Sequence, residues 1–464
     1  MNAAHGTLEV DLLVIGYGKG AKTLASHFAR LGRSVVMVEQ SDRMYGGTCV
    51  NVGCVPTKAL VHEADTRRDS DDPSRWYTDA VGRVDALTTR LRGINFSLLD
   101  TLDAVTVITG HAVFTDAHTV EIGAGGDQLT VRAESIVIGS GSEPVIPDIA
   151  GLRDSSRLVT SADLIYTQEM PNRLAVLGGG YLGVEFAAIY RRFGSEVTVL
   201  EQGPALFRNE DDDVAAVATA ILADEGITLI TGARIEKVRD TGQDTAVLSY
   251  QDAQGQHELE VDLILTAAGR RPVIHDLGLE AAGIAIDARG AIVVDEHLRT
   301  TQPNVFAIGD VNGGPQFTYI SLDDSRIVAD QLLGDGTRTV ADRVAVPQTV
   351  FMTPPLSTVG ITEREAVEQG RRIRVAAKPV AQIVGMPRAK IVGDTRGVMK
   401  FVIDADTDLI LGAALLSVDS QELINTVALA IRSGVTATQL RDAIYNHPSS
   451  TEAFNEVLDT AASH

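Results

Sequence analysis

The stretch DLLVIGYGKGAKTLASHFARLGRSVVMVEQ, residues 11–40, decides the fold of this 464-residue chain. It opens on an apolar strand, turns at Gly16 and Gly18, and closes on a second apolar strand that ends at Glu39. Between the strands, apolar side chains recur at helical spacing on one face, at Ala21, Leu24, Ala25 and Phe28. This alternation predicts a βαβ unit of the kind that binds dinucleotides.

A second stretch repeats the pattern without a gap. Residues 173–202 read RLAVLGGGYLGVEFAAIYRRFGSEVTVLEQ, at an offset of 162 positions, and also end an apolar strand on an acid. The apolar helix face here carries Gly183, Phe186, Ala187 and Tyr190. A single glycine motif arises by chance in ordinary α/β turns, whereas two in register, each with its strand, helix and distal acid, are specific. The chain is therefore predicted to hold two dinucleotides.

The residue types explain how each repeat would bind its ligand. One glycine allows the turn out of the strand, a second lets a pyrophosphate approach the helix N-terminus, and a third small residue lets the helix pack on the strand. The acid after the second strand accepts hydrogen bonds from a ribose diol. In that order these residues are Gly16, Gly18, Ala21 and Glu39 in the first repeat, and Gly178, Gly180, Gly183 and Glu201 in the second.

The two cysteines of the chain, Cys49 and Cys54, both lie in GGTCVNVGCVPTK, residues 46–58. Pro56 and the run after it predict a helix that begins near Cys54, where exposed N–H groups favour a thiolate. We interpret the pair as a redox dithiol. A structural disulfide is disfavoured because no apolar signal segment opens the sequence, and a structural zinc site would need four ligands. Two inert buried thiols are the remaining alternative.

Composition narrows the function further. The net charge of −22 opposes binding to nucleic acid or an anionic membrane, and no apolar run approaches the length of a membrane span. We expect a cytoplasmic protein. Two dinucleotides beside one dithiol suggest an electron relay from a nicotinamide through a flavin to sulfur. An acid at Glu201 would repel a 2′-phosphate, which favours NADH over NADPH, although Arg208 lies nearby.

Three further segments complete a resemblance to the class I pyridine nucleotide-disulfide oxidoreductases, the flavin enzymes that include glutathione reductase and lipoamide dehydrogenase. Residues 304–310, NVFAIGD, are similar to the family's second FAD segment. Residues 267–272, AAGRRP, are similar to the end of its nicotinamide domain, and residues 447–452, HPSSTE, are similar to its dimer-contributed His/Glu pair. The resemblance covers essentially the whole chain. It implies FAD, NAD(H) or NADP(H), a homodimer, and an α/β fold with two Rossmann-like domains and a C-terminal α+β dimerisation domain.

The resemblance also implies roles for individual residues. Cys54 would be the thiolate beside the flavin and Cys49 the thiol that meets the acceptor. The other implied catalytic residues are Lys58 paired with Glu185, and His447, held by Glu452, which would reach in from the partner subunit as acid/base for Cys49. Lys58 is also an implied cofactor contact, and Tyr181 is an implied cofactor contact that gates the nicotinamide. Further implied cofactor contacts are Gly47, Thr48, Gly141, Gly269, Asp310 and Thr318. Each role has a plainer alternative. Lys58 and Glu185 could form a surface ion pair, and Tyr181 could be a packing residue. His447 could open a tight turn in which Ser449 or Ser450 caps the last helix.

A branch of the family is closer still. The segments MYGGTC at 44–49, QFTYISLDD at 316–324 and FMTPPLS at 351–357 resemble the reactive-chlorine-resistance oxidoreductases. That resemblance implies reduction of hypothiocyanous acid or copper(II), with copper as substrate and no resident metal. The alternatives are a disulfide reductase for a small thiol or lipoamide, a mercuric reductase, and a non-catalytic flavoprotein. Mercury is disfavoured because no further cysteine pair stands near the C-terminus.

These motifs divide the chain into four segments. We predict an FAD-binding domain at 1–150, an NAD(P)-binding domain at 151–272, a central segment that returns to FAD at 273–343, and a dimerisation domain at 344–464. Residues 65–75, rich in Asp and Arg, are predicted to form an exposed connection.

Overall fold

A computed structural model describes residues 7–68 and 70–463. The helices are α1 Lys19–Arg30, α2 Gly47–Asn51, α3 Cys54–Thr66, α4 Pro73–Asp100, α5 Ser161–Leu164, α6 Tyr181–Phe193, α7 Asp212–Asp224, α8 Thr318–Leu333, α9 Glu363–Glu368, α10 Pro387–Val392, α11 Ser420–Arg432, α12 Ala437–Arg441 and α13 Ala453–Val457. The strands are β1 Thr7–Ile15, β2 Val35–Glu39, β3 Val105–Thr109, β4 His111–Phe114, β5 Thr119–Ala124, β6 Asp127–Ile138, β7 Ser142–Pro144, β8 Leu158–Val159, β9 Arg173–Leu177, β10 Glu196–Glu201, β11 Thr228–Thr231, β12 Arg234–Asp240, β13 Ala246–Asp252, β14 Gly255–Val261, β15 Leu263–Thr266, β16 Arg270–Pro272, β17 Val305–Ala307, β18 Gln348–Val350, β19 Leu356–Gly360, β20 Ile373–Pro379, β21 Val398–Asp404, β22 Ile410–Leu416 and β23 Ala462–Ser463.

The first repeat forms the centre of a seven-stranded sheet. Strands run in the order β3-β2-β1-β6-β5-β4, with β17 also paired to β6. The pairs among β1, β2, β3, β6 and β17 are parallel, and β4 and β5 add an antiparallel edge. Because a parallel sheet is covered on both faces, Leu12, Leu13 and Val14 are fully buried as a continuous apolar run. The C-terminal ends of β1 and β6 thus meet at one edge of the sheet.

The second repeat forms a parallel five-stranded sheet, β11-β10-β9-β15-β8, beside a three-stranded antiparallel sheet, β12-β13-β14. Helix α6 is buried along most of its length, since α3, α4 and β18 pack around it as well as its own sheet. This packing brings the helix that follows the second glycine motif against the helix that begins at Cys54.

The C-terminal part of the chain is built on a six-stranded antiparallel sheet, β18-β19-β22-β21-β20-β23. Helices α10, α11, α12 and α13 share one hydrophobic core with this sheet, in which Phe401 and Phe454 meet edge to face. The predicted fold class, α/β with two Rossmann-like units and a C-terminal α+β unit, is confirmed. Among the described residues, no helix is both long enough and apolar enough to cross a bilayer.

The predicted connection at 65–75 is shorter than expected. Helix α3 continues to Thr66 and α4 begins at Pro73, so the described residues between the two helices are 67, 68 and 70–72. The Asp72 carboxylate accepts a hydrogen bond from the Arg75 N–H, and Pro73 occupies the first helical position. An N-cap acid followed by proline starts a helix, so part of this polar stretch was wrongly predicted as a loop.

Candidate active site

A single cleft of about 2070 Å³ gathers most of the predicted site residues. Its wall contains the following: Gly16, Gly18, Ala21, Glu39, Gly47, Thr48, Cys49, Cys54, Lys58, Gly141, Gly178, Gly180, Tyr181, Glu185, Glu201, Gly269, Asp310 and Thr318. Gly183, His447 and Glu452 lie outside this wall. The cleft therefore brings both glycine motifs and the dithiol together.

The first motif forms a cradle for a pyrophosphate. Gly16 has a φ of +97°, and a Cβ there would stand 2.2 Å from the Gly139 carbonyl oxygen. Gly18 precedes α1 without a capping side chain and lines the cleft together with Lys19, while the Gly20 N–H donates to the Ser321 hydroxyl at 3.1 Å. Gly47 approaches closely on the other side, since a Cβ there would stand 2.6 Å from the Gly18 Cα.

Two acids mark the ends of the same cradle. Burial raises the pKa of Glu39 to about 7, and its carboxyl group accepts a hydrogen bond of 3.0 Å from the Tyr17 N–H. Asp310 accepts one of 2.5 Å from the Ser142 hydroxyl. These groups fit FAD: a helix N-terminus for the phosphates, an acid that accepts hydrogen bonds from a ribose diol, and a second acid farther along the cleft.

The second motif repeats this geometry. Gly178 has a φ of +112°, and Gly180 precedes α6 without a capping side chain and with open space around it. A Cβ at Gly183 would stand 2.0 Å from the Gly178 carbonyl oxygen, which accounts for a small residue at that turn of the helix. Glu201 accepts hydrogen bonds from the Gly179 and Gly203 N–H groups, at 2.7 and 2.6 Å. These residues fit a second dinucleotide.

The dithiol lies between the two cradles. Cys49 belongs to the short helix α2 and is half-buried, whereas Cys54 is the first residue of α3 and is exposed to the cleft. Neither cysteine is bonded to another residue in this structure. The two sulfurs share a hydrogen bond, and the Thr318 hydroxyl lies 3.5 Å from the Cys54 Sγ. A pair in contact can close to a disulfide with little movement.

The two thiols differ in acidity. The hydrogen bond from Cys49 lowers the pKa of Cys54 to about 6, assisted by the Thr318 hydroxyl and the Lys58 ammonium group against the opposing effect of burial. The same hydrogen bond, together with burial, raises the pKa of Cys49. At neutral pH the pair therefore holds one thiolate, at Cys54, and one thiol, at Cys49.

The acidity of Cys54 gives a pH prediction. Because its pKa is lowered, the thiolate dominates above pH 6 and is protonated as the pH falls through about 6. Thr318→Val should raise the midpoint by about one unit, since a hydrogen bond to a charged group contributes ~1.5–3 kcal/mol and one pKa unit is ~1.4 kcal/mol. The measurement is a pH titration of the ultraviolet thiolate absorbance of the reduced protein, with Cys54→Ser as the blank.

Thr349→Val is the matched control for this titration. Thr349 lines the same cleft, but its hydroxyl is paired with Ser357 at 2.9 Å. Its replacement should leave the midpoint unchanged. A wild-type midpoint near 8.5, the ordinary value for cysteine, would contradict the assignment of the thiolate.

Lys58 and Glu185 form a partly buried ion pair of 2.7 Å beside the dithiol. Only 6% of the Glu185 side chain is exposed, and its other oxygen accepts a hydrogen bond of 2.9 Å from the Phe351 N–H. The Lys58 ammonium group also lies 4.7 Å from the centre of the Phe351 ring. A surface ion pair is therefore the wrong interpretation of these two residues.

His447 and Glu452 are brought together away from the cleft of their own chain. The His447 Nδ1 lies 2.8 Å from the Glu452 carboxylate, which also accepts a hydrogen bond from the Ser449 N–H. The His447 hydrogen bond is the first cause of a lowered pKa at Glu452. Because 72% of the His447 side chain is exposed, the ring is available to another surface. Neither Ser449 nor Ser450 caps a helix, since α13 begins at Ala453 and its N-cap is Glu452.

Sequence reasoning missed several residues that shape the site. The Phe351 N–H donates a hydrogen bond to Glu185. The Ser142 hydroxyl donates one to Asp310, and the Ser142 carbonyl oxygen accepts one from Arg270. Glu210 accepts one from the Tyr181 hydroxyl. Each contact joins segments more than 25 residues apart, and no local pattern marks it. The segment at 351–357 was noticed only as part of a resemblance.

Comparisons with known proteins place the chain in a family. Residues 10–325 match the pyridine nucleotide-disulphide oxidoreductase family, and residues 346–458 match its dimerisation domain. The chain is 44% identical over 446 residues to the probable pyridine nucleotide-disulfide oxidoreductase RclA of Escherichia coli, covering 96% of this chain and 98% of that protein. It is 32% identical to a Staphylococcus aureus mercuric reductase, covering 94% and 79%. The chain belongs to the pyridine nucleotide-disulphide oxidoreductase family, as predicted.

A solved structure agrees with this placement. The Cu(II) complex of the HOCl-induced flavoprotein disulfide reductase RclA from Escherichia coli superimposes with a TM-score of 0.92 at 42% identity, covering 97% of this chain and 99% of that one. The family implies FAD and a pyridine nucleotide as cofactors. The division of the chain into four segments and the roles of the individual site residues stay predictions.

Proposed function

We propose that this pyridine nucleotide-disulphide oxidoreductase uses NADH to keep the Cys49–Cys54 pair reduced, and that the pair reduces small oxidants such as hypothiocyanous acid and copper(II). The observation that carries the proposal is the dithiol itself: one acidic and one protonated thiol in contact, at the junction of two dinucleotide cradles. The similar protein of Escherichia coli is HOCl-induced and has been solved as a Cu(II) complex, which supports this choice of acceptors.

FAD, when bound, supplies the two-electron relay between the nicotinamide and the dithiol. The residues proposed to hold it are Gly16, Gly18, Ala21, Glu39, Gly47, Thr48, Lys58, Gly141, Asp310 and Thr318, all on the cleft wall. The nicotinamide dinucleotide is assigned to Gly178, Gly180, Tyr181, Gly183, Glu201 and Gly269. Of these, only Gly183 lies behind the wall, where it permits the close packing of α6.

Lys58 is assigned an electrostatic role. Its ammonium group lowers the pKa of Cys54, while Glu185 opposes that effect and holds the ammonium group in place. Because Glu185 is itself anchored by the Phe351 N–H, the pair presents a fixed positive charge to the cleft. A fixed cation stabilises a thiolate without the cost of reorganising solvent.

Cys49 is assigned as the thiol that attacks the acceptor. Since its pKa is raised, it must lose a proton before it attacks, and we assign that proton to His447 of the partner subunit. With hypothiocyanous acid, Cys49 sulfur bonds to the acceptor sulfur and hydroxide leaves as water. Cys54 thiolate then attacks Cys49 sulfur and expels thiocyanate. One thiol, one thiolate and one hypothiocyanous acid thus give one disulfide, thiocyanate and water.

Copper(II) is assigned as a substrate that accepts electrons from the dithiol. Two copper(II) ions each accept one electron, the thiol and thiolate become a disulfide, and one proton is released. Thiolate sulfur is a soft ligand that suits the copper(I) product. Within the part of the chain that the structure describes, His, Cys, Asp and Glu side chains form no group of three or more that would hold a resident ion.

NADH is assigned over NADPH because of Glu201. Its carboxylate stands at the end of β10 and is fixed by two backbone N–H groups, so a 2′-phosphate beside it would meet a negative charge. Arg234 lines the same part of the cleft, but its guanidinium group pairs with Glu236 at 2.7 Å. The negative charge of Glu201 therefore outweighs the positive charge of Arg234 at the site of a 2′-phosphate.

The proposal includes the assembly and its location. The match to a dimerisation domain and the position of His447 outside its own cleft support a homodimer in which each subunit completes the site of the other. We assign the enzyme to the cytoplasm, where a dithiol is readily kept reduced.

Steady-state oxidation of NADH and of NADPH by the purified enzyme tests the proposed function. The acceptors are hypothiocyanous acid, copper(II), mercury(II), glutathione disulfide and lipoamide. We expect kcat/KM to be highest for hypothiocyanous acid or copper(II), and higher with NADH than with NADPH by tenfold or more. A preference for either disulfide would overturn the oxidant assignment and leave a small-thiol reductase.

A further inference from the structure

Tyr181 lies on the walls of two cavities. It is the first residue of α6 and lines the large cleft near Lys58 and Glu185. It also lines a smaller cavity of about 260 Å³ between the second repeat and the C-terminal sheet. A cavity of ~150 Å³ accommodates a benzene ring, so the smaller cavity has room for a phenol side chain.

Glu210 fixes the hydroxyl end of this tyrosine. The Tyr181 hydroxyl donates a hydrogen bond of 3.0 Å to the Glu210 Oε1, and Glu210 is 4% exposed on the wall of the smaller cavity. Burial raises the pKa of Glu210, the Tyr181 hydrogen bond and Arg364 oppose this effect, and the negative charges of Asp211 and Glu365 add to it. Glu210 takes part in none of the ion pairs found within residues 7–68 and 70–463, so the tyrosine hydroxyl is a main polar partner of this carboxyl group.

We infer that Glu210 is a positioning residue that holds the Tyr181 ring at the wall of the large cleft, so that an entering nicotinamide must break this hydrogen bond and displace the ring towards the smaller cavity. The inference rests on the proposed function, which places the nicotinamide in that part of the cleft. A resting hydrogen bond that must be broken lowers the affinity for the dinucleotide, since only the displaced state accepts it.

Loss of the Tyr181–Glu210 hydrogen bond is therefore expected to raise the affinity for the dinucleotide. Removing the hydrogen bond from either side should tighten binding of NAD⁺ to the purified oxidised holoenzyme. A bond of the usual net strength corresponds to a change of three- to tenfold in the dissociation constant. Tyr181→Phe removes the donor, and Glu210→Met removes the acceptor while keeping the length of the side chain. Glu210→Gln retains an acceptor and should lie closer to the wild type.

Isothermal titration calorimetry with NAD⁺ is the test. Tyr181→Phe and Glu210→Met should each lower the dissociation constant three- to tenfold, and the double variant should lower it no further than one of them alone, because both remove the same bond. Steady-state kinetics of Glu210→Met should show a lower KM for NADH, changed by a larger factor than kcat. Glu365→Gln is the control, because Glu365 lines the same cavity and a Gln preserves its capping box with Thr362.

Unchanged or weaker NAD⁺ binding in Tyr181→Phe would overturn the inference, and so would multiplicative effects in the double variant. If Glu210→Met fails to fold, as thermal unfolding would show, Tyr181→Phe and Glu210→Gln decide the matter. Failure of the proposed function is a separate outcome that the wild-type enzyme shows, as a preference for glutathione disulfide or lipoamide over hypothiocyanous acid and copper(II), whatever the variants do to NAD⁺ binding.

Discussion

Replacing Cys49 with serine is expected to lower turnover with hypothiocyanous acid by on the order of 10³-fold or more, while NADH binding is preserved. A serine hydroxyl stays protonated at neutral pH, so the group proposed to attack the acceptor is lost. The Cys49 hydrogen bond is also the first cause of the low pKa of Cys54. We therefore expect the pKa of Cys54 to rise unless the serine hydroxyl replaces that bond. Steady-state assays with each acceptor and a pH titration of Cys54 measure the two effects.

Cys54→Ser separates the roles of the two thiols. This variant loses the thiolate that lies at the junction of the cradles, so it should fail with every acceptor that depends on the dithiol. Reduction of ferricyanide, which needs no thiol, should persist in both variants and shows that they are folded and loaded with cofactor. Full turnover of hypothiocyanous acid by Cys49→Ser would contradict the assignment.

His447→Gln is expected to lower acceptor turnover by about 10²-fold, the usual loss when a general acid or base is removed. The reason lies in Cys49, whose raised pKa means that a proton must be accepted before attack. His257→Gln is the matched control, because His257 also pairs with a carboxylate, at 2.9 Å from Asp252, but lies on β14 in the three-stranded sheet. It should retain wild-type activity.

Mixing subunits tests whether His447 acts across the dimer. Chains carrying Cys49→Ser and chains carrying His447→Gln are each expected to be nearly inactive alone. After unfolding and refolding together in equal amounts, half of the dimers are mixed, and each mixed dimer has one site with both residues intact. We expect about a quarter of wild-type activity to return. No recovery in dimers shown to be mixed would place His447 in its own chain's site or outside the mechanism.

The two nucleotide motifs and the dithiol could be predicted from the sequence because their chemistry is local. A glycine turn, a helix N-terminus and a distal acid all lie within thirty residues, and the predicted apolar face of α1 is buried residue for residue. Cys49 and Cys54 are likewise close enough in sequence to be recognised as a pair.

Contacts that join distant segments could not be predicted. Phe351 reaches Glu185 across 166 residues, and its backbone N–H carries no sequence signal. Glu210 stands in a run of acids that appears solvent-exposed by composition, yet it is buried against Tyr181. The long helix α4 was not foreseen, because its apolar positions are diluted by exposed charged residues over 28 residues. Tertiary packing decides such cases, and local propensity does not.

Counting thiols before and after NADH tests the central claim most directly. The chain has two cysteines, so the count is unambiguous. We expect the air-oxidised holoenzyme, denatured anaerobically, to show no free thiol, and the same enzyme treated with NADH to show two per chain. Two thiols in both samples, or none in both, would mean that the pair does not cycle and would contradict the account.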